Sequence, residues 1–406
     1  MSVQSVMPAV VSAIGAASSG GDGVRPSRMR EVYASITDPR DRRGRRHSLV
    51  SILLLVQCAV VAGATSWAAI IEWVQAAPQQ VLADCEVRFD RRRGRYRAPH
   101  PGTMADLLGR LDAGQVDLAH ARHRAAQLAE LHPRHDGTGE LFGLAVDGKT
   151  SRGTAHHGGR ALHRLGAFTH TDAIMLATCD VDGKTNEINT FAPLLDQIGD
   201  LSGAVVTGDA LHCQRKHARY LRERGAHYVL PVAGNQPGLF DRLDALPWNQ
   251  VPISSNAGWM TYDRGHGRQE IRTIQVMPAP RGIGFPHARQ VFLIERHVYD
   301  LTGGHLSSIA VLGVTDLTAH QAGPAELLGF NRGQWSIENK DHHVRDVTYR
   351  EDHCRVRTAT RPSILATMRS YAASALRLLG FTNIAKATRW HRDDFTRPLA
   401  TLNLTM

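Results

Sequence analysis

Between Pro26 and His135, apolar residues recur three and four positions apart in "SWAAIIEWVQAA", "TMADLLGRLD" and "DLAHARHRAAQLAELH". That is the period of helices burying one face. Leu49–Ile71, "LVSILLLVQCAVVAGATSWAAII", departs from it: 23 residues carry no charge, long enough to span a bilayer. Gln57, Gly63, Thr65 and Ser66 interrupt the run, and Ser66 is a good N-cap for "WAAIIEWVQ". Two buried helices of a soluble helical domain are expected, not a membrane span.

From Glu140 the pattern alternates between strands and helices. "LFGLAV" reads as a buried strand ending at Asp147, and "ALHRLGAFTH" and "AIMLATCDV" as two more. "NTFAPLLDQI" is helical, "AVVTG" is a strand ending at Asp209, "LHCQRKHARYLRERG" is helical and "AHYVLPV" is a strand. This sequence of elements predicts a mixed α/β sheet covered by helices. From Gly234 to Thr318 only strands are expected: "GWMTYDR", "RQEIRTIQVM", "RQVFLIERHVYD" and "SSIAVLGVTDL". Helix returns in "AELLGFNRGQWSIENKDHHVRDV" and "PSILATMRSYAASALRLLG".

Charge points to the class of partner. A net charge of +10 over 406 residues favours an anionic partner, nucleic acid first. "RDRRGRR" at 40–46 and "RRRGRYR" at 91–97 hold five arginines each around a glycine. Arg42, Arg43, Arg45, Arg46, Arg92 and Arg93 are candidate phosphate contacts, though an ordinary solvated surface has the same composition. Five scattered cysteines form no disulfide framework, so a reducing cytoplasm is the expected compartment. Residues 1–26 read as a disordered tail. Their apolar stretch "VMPAVVSAIGAA" lacks the basic segment of a secretory leader.

Phosphodiester chemistry needs charge neutralised on the phosphate and on both in-line oxygens, which a pair of divalent ions can do. Mg²⁺ is held by carboxylates. Three acidic residues from separate elements are therefore sought. Asp147 and Asp209 each follow a strand, and Glu338 lies on a helix that Trp335 and Ile337 would dock. Local alternatives exist, because "DGKT" and "DALH" also suit a turn or capping aspartate. Two His/Cys groups, His212, Cys213 and His217, and His342, His343, His353 and Cys354, lack zinc-site spacing, and zinc is not expected.

In order, "GLAVDGKTSRG", "VVTGDALHCQ", "GNQPGLF", "GHGRQEIR" and "NRGQWSIENKDHHVRDVTYRED" resemble the motifs of the DDE transposases of bacterial insertion sequences. The closest branch includes the H-repeat-associated proteins. "DPRDRRGRRHSLVSILLL" and "PHPGTMADLLGRLD" are similar to that branch's associated N-terminal domain. The resemblance spans roughly residues 30–380. It implies a ribonuclease-H-like mixed sheet with flanking helices, a β-strand insertion and an N-terminal all-helical domain. It also implies Asp147, Asp209 and Glu338 as the catalytic, metal-holding triad, with Mg²⁺ or substituting Mn²⁺. Asn235 and Gln236 would contact DNA near the cleaved end, although they also fit a plain turn before Pro237. His266 and Arg268 are further DNA candidates or a hairpin turn. Arg332 and Arg345, at −6 and +7 from Glu338, are DNA candidates or solvent-exposed charges.

Three departures stand out: Ala233 where relatives carry Lys, Gln334 in "QWSIEN" where they carry His, and "DHH" at Asp341–His343 for "LHW". The implied organisation is a tail at 1–26, a DNA-binding helical domain at 27–138, and a core at 139–233 and 321–382. An insertion at 234–320 interrupts that core, and a C-terminal tail follows at 383–406. The expected function is cutting element ends and joining the 3′-hydroxyl to target DNA, by a homodimer on terminal inverted repeats. An inactive DNA-binding relative and a nuclease that never joins strands are the alternatives.

Overall fold

The computed structural model describes residues 29–131, 141–155, 159–182 and 187–404, with no side-chain description at 128–131. The tail expected at 1–26 and the domain boundary near 138 lie outside these residues. Eleven strands are present among them. β1 (Phe89–Asp90) and β2 (Arg95–Tyr96) form a small hairpin. The other nine form one sheet: β3 (Phe142–Ser151), β4 (Leu162–Thr169), β5 (Met175–Val181), β6 (Ala204–Thr207), β7 (His227–Val232), β8 (Gly258–Gly265), β9 (Arg268–Pro278), β10 (Gln290–Asp300) and β11 (His305–Thr315). Their spatial order is β5-β4-β3-β6-β7-β11-β10-β9-β8. β3, β4 and β5 are antiparallel neighbours, whereas β6 runs parallel to both β3 and β7.

Two sequence expectations change here. The segment from Gly234 is not all strand, because Pro237–Asp244 is a helix with Pro at its first turn, where a missing N–H costs nothing. Nor does the segment fold as a separate β unit. β11 pairs with β7 and carries the same sheet outward through β10, β9 and β8.

The uncharged stretch resolves into two helices, Leu49–Val61 and Trp67–Ala76. The Ser66 side chain accepts from the Ala69 N–H as an N-cap, and the turn between them uses Gly63 at φ 84°. Every residue of Leu49–Val61 except Val50 is buried. The one amide side chain among them, Gln57, is satisfied: Tyr33 Oη donates to it, and it donates to the Met368 carbonyl. No helix among the described residues is long and apolar enough to cross a membrane.

Those helices do not form a core of their own. They share one apolar cluster with the buried helix Arg361–Leu378 and with Ala145, Phe168 and Met175 of the sheet. The segment expected as a C-terminal tail belongs to it too. It forms helices Ile384–Arg392 and Thr396–Thr401, burying Ile384, Leu399, Leu402 and Leu404. Arg164 on β4 ties the layers together, bonding Asp117 of the N-terminal helices at 2.5 Å and Thr367 of the C-terminal helix at 2.5 Å.

Candidate active site

The parallel pairing of β3 with β6 ends at Ala145 opposite Thr207. Asp147 and Asp209 each lie two residues beyond that pair, so the register sets them side by side where β6 stops. Strands in a sheet are about 4.8 Å apart. Asp147 itself does not end its strand as the sequence suggests. β3 continues to Ser151, held by β4. Asp209 takes the capping role that its sequence allows, its carboxylate accepting from the Leu211 N–H at 3.0 Å in the turn Ala210–His212, and it stays exposed at the sheet edge.

The third carboxylate arrives on the chain after the sheet. The helix Pro324–Gly333 continues through Trp335–Ile337 into two wider, π-helical segments, Glu338–His342 and Val344–Thr348. Such widened turns concentrate at functional sites. Ile337 docks this helix and is buried, as expected. Trp335 does not: it is 66% exposed, because the helical turn that points Ile337 inward points Trp335 out.

Gln334 fixes the helix against both acidic strands. Its Nε2 donates to the Val146 carbonyl at 3.0 Å, next to Asp147, and its Oε1 accepts from Thr207 Oγ1 at 2.7 Å, two residues before Asp209. His170 Nε2 reaches the same Thr207 hydroxyl at 2.9 Å. Burial brings the His170 imidazole down to about 4, so it is neutral. In sequence, Gln334 is legible only as a departure from a family pattern. Its bridging role needs the fold.

Asp147, Glu338 and His342 each offer a ligand atom within 4.8 Å of the others. His342 Nδ1 donates to Glu338 Oε2 at 2.8 Å and stands 3.7 Å from Asp147 Oδ2. The hydrogen bond from His342 holds Glu338 below the usual carboxylate range. Burial pushes Asp147 up, and the charges of Asp209 and Glu338 add to that shift. Two carboxylates beside a third, with one partly desolvated, is an arrangement completed by a cation. The donor set fits a divalent ion. Sequence reasoning misses His342 as a partner of the acids, although its i+4 spacing from Glu338 places both on one helix face.

The remaining candidates divide. The two arginine-rich stretches converge, since Arg46 and Arg91, Arg92, Arg93 and Arg97 line one open cleft of about 1180 Å³. Arg42, Arg43, Arg92 and Arg93 are exposed and make no ion pair among the described residues. Arg45 is instead spent on its own loop, bonding the carbonyls of Arg40 and Asp38. Asn235 donates to the Ala210 carbonyl at 2.5 Å, which brings the "GNQ" loop against the turn after Asp209, while Gln236 starts the next helix. His266 occupies the β8–β9 turn at φ 50°, and Arg268 begins β9, paired with Glu270 at 2.7 Å. Arg332 pairs with Asp263 at 3.1 Å.

Arg345 corrects its assignment. It is buried, clamped to Glu351 at 3.0 Å and facing Asp341, so it holds the protein together and does not face DNA. Of the histidine groups, His217 lies flat on Phe191 at 4.0 Å, and only His342 joins a metal-competent cluster among the described residues.

Residues 140–374 match the family described as Transposase DDE domain, and residues 30–123 match the DDE_Tnp_1-associated family. The chain belongs to the DDE transposases, enzymes that cut and transfer DNA strands. It is 28% identical over 365 residues to "Putative transposase YncI" of Escherichia coli O157:H7, covering 86% of each chain. It is 25% identical over 366 residues to "H repeat-associated putative transposase YhhI" of Escherichia coli (strain K12), covering 86% of this chain and 90% of that one.

Proposed function

We propose that this chain cuts the ends of an insertion sequence and joins the freed 3′-hydroxyl to target DNA, with Asp147, Asp209 and Glu338 as its acidic triad. The observation that carries this reading is the convergence of Asp147 and Glu338, far apart in sequence, within ligand distance beside Asp209. The order β5-β4-β3-β6-β7, three antiparallel strands followed by two parallel ones, supports a ribonuclease-H-like core. The three carboxylates would hold a pair of Mg²⁺ or Mn²⁺ ions. Bound there, such ions supply neutralisation of the phosphate and activation of the attacking oxygen.

The chain's own residues supply position. Gln334 locks the Glu338 helix to β3 and to the end of β6, so that the three acids keep their spacing. Asn235 braces the turn that carries Asp209. The cleft lined by Arg46 and Arg91 to Arg93 would grip the backbone of a terminal repeat, with His266, Arg268 and Arg332 as further contacts. Transfer of both ends calls for two copies on DNA, acting at the nucleoid.

Cleavage of element ends, followed by joining of pre-cut ends, tests the reading. Cleavage and joining are both expected in Mg²⁺. Binding without cleavage would make the chain an inactive relative, and cleavage without joining would make it a nuclease.

A further inference from the structure

We infer that His342 is itself a metal ligand of this site, and that its nitrogen makes the site prefer Mn²⁺ to Mg²⁺. The inference rests on the acidic triad proposed above. The imidazole is buried, yet its Nδ1 faces the two carboxylates, 2.8 Å from Glu338 and 3.7 Å from Asp147. Neither distance reflects chance proximity on a flexible surface. His342 closes the π-helical turn that begins at Glu338, and Gln334 anchors that helix one turn earlier.

In this structure Nδ1 donates to Glu338, occupying the place between the two carboxylates. An ion seated there would meet two oxygens and, with the ring in its Nε2–H tautomer, the Nδ1 lone pair as one nitrogen. A nitrogen donor changes which ion is favoured. Mg²⁺ takes oxygen ligands in a near-ideal octahedron and dehydrates reluctantly, whereas imidazole suits first-row transition ions.

The test uses the full chain without DNA. Mn²⁺ is titrated directly and Mg²⁺ by competition, and pulsed EPR reads whether bound Mn²⁺ carries a nitrogen coupling. Wild type is expected to show that coupling. His342→Gln should lose it and lose at least roughly tenfold in Mn²⁺ affinity, since removing even an outer partner of a ligand costs that much. Its Mg²⁺ affinity should change much less. His342→Asn, with a melting curve for each variant, guards against a folding defect. Absence of nitrogen coupling in wild type overturns the inference, and so does coupling that persists in His342→Gln. Asp147→Asn separates the two levels of the reading. If it binds Mn²⁺ as wild type does, the acidic site itself is wrong and this inference goes with it.

Discussion

One face of β3 meets the chain between Glu338 and Glu351 three times, and the three meetings differ. Asp147, Lys149 and Ser151 alternate onto that face. Lys149 Nζ bonds Asp346 at 2.6 Å, and Ser151 Oγ donates to Glu351 at 2.6 Å. Glu351 is also held by Arg345 and Arg369, and all three are buried. At Asp147 the opposing residue is another acid, Glu338, with His342 beside both. The far end of the strand is complementary and closed, whereas the near end sets like charges together and leaves Glu338 57% exposed. Complementary rungs dock the helix, so the last rung can remain electrostatically incomplete and available to a cation.

Removing one glutamate from each end of the strand should produce opposite losses. Glu338→Gln should lower end cleavage by about a thousandfold, roughly 4 kcal/mol in the barrier. Its unfolding free energy should stay within about 0.5 kcal/mol of wild type, as for other exposed positions. Cleavage rate and denaturant midpoint, measured together, check it; parental cleavage would remove Glu338 from the triad.

Glu351→Gln should do the reverse. From sequence alone, this glutamate is expected to matter far less than Glu338 for end cleavage. The structure shows two buried guanidiniums that share this carboxylate; without it Arg369 would lose its ion pair and Arg345 would keep Asp341 at 3.4 Å, a loss of about 3–5 kcal/mol in stability. The folded fraction should still cleave. A midpoint equal to wild type would show that Arg345 and Arg369 find other partners.

Glu351 and Asp147 should also respond oppositely to pH. Arg345 and Arg369 beside Glu351 hold its carboxyl below the ordinary range despite burial. Its stabilisation is therefore present above the unfolded value of about 4.3 and lost as pH falls towards the folded value. Asp147 is raised by burial, so its ionised form costs stability above its unfolded value of about 3.9. Melting curves of metal-free protein from pH 7 to pH 3 should flatten in Glu351→Gln, whereas Asp147→Asn should be relatively more stable at pH 7 than at pH 3. Parallel curves for the two variants would contradict the contrast.

The smallest effect is expected far from β3. Replacing Arg42, Arg43, Arg92 and Arg93 with Ala should flatten the log–log salt dependence of end binding by about 0.9 for each phosphate that is no longer neutralised. Arg45→Ala should change that slope less, because its guanidinium is occupied by its own loop. An unchanged slope in the fourfold variant would move the DNA path away from the cleft.

Much of this is legible in the chain. Helical periodicity, the restart at Ser66 and the alternating elements after Glu140 are local signals, set by which faces must be buried and which residues cap. The acids Asp147, Asp209 and Glu338 can be named because their ordered motifs persist in sequence. Tertiary structure decided what long-range pairing decides. It merged the N- and C-terminal helices into one core, joined β7 to β11, turned Trp335 outward, buried Arg345, and brought His342 between two carboxylates. A charged residue reads the same in sequence whether its partner is water, a phosphate or a buried glutamate. Only the packing around it, assembled from segments hundreds of residues apart, sets which of these it meets.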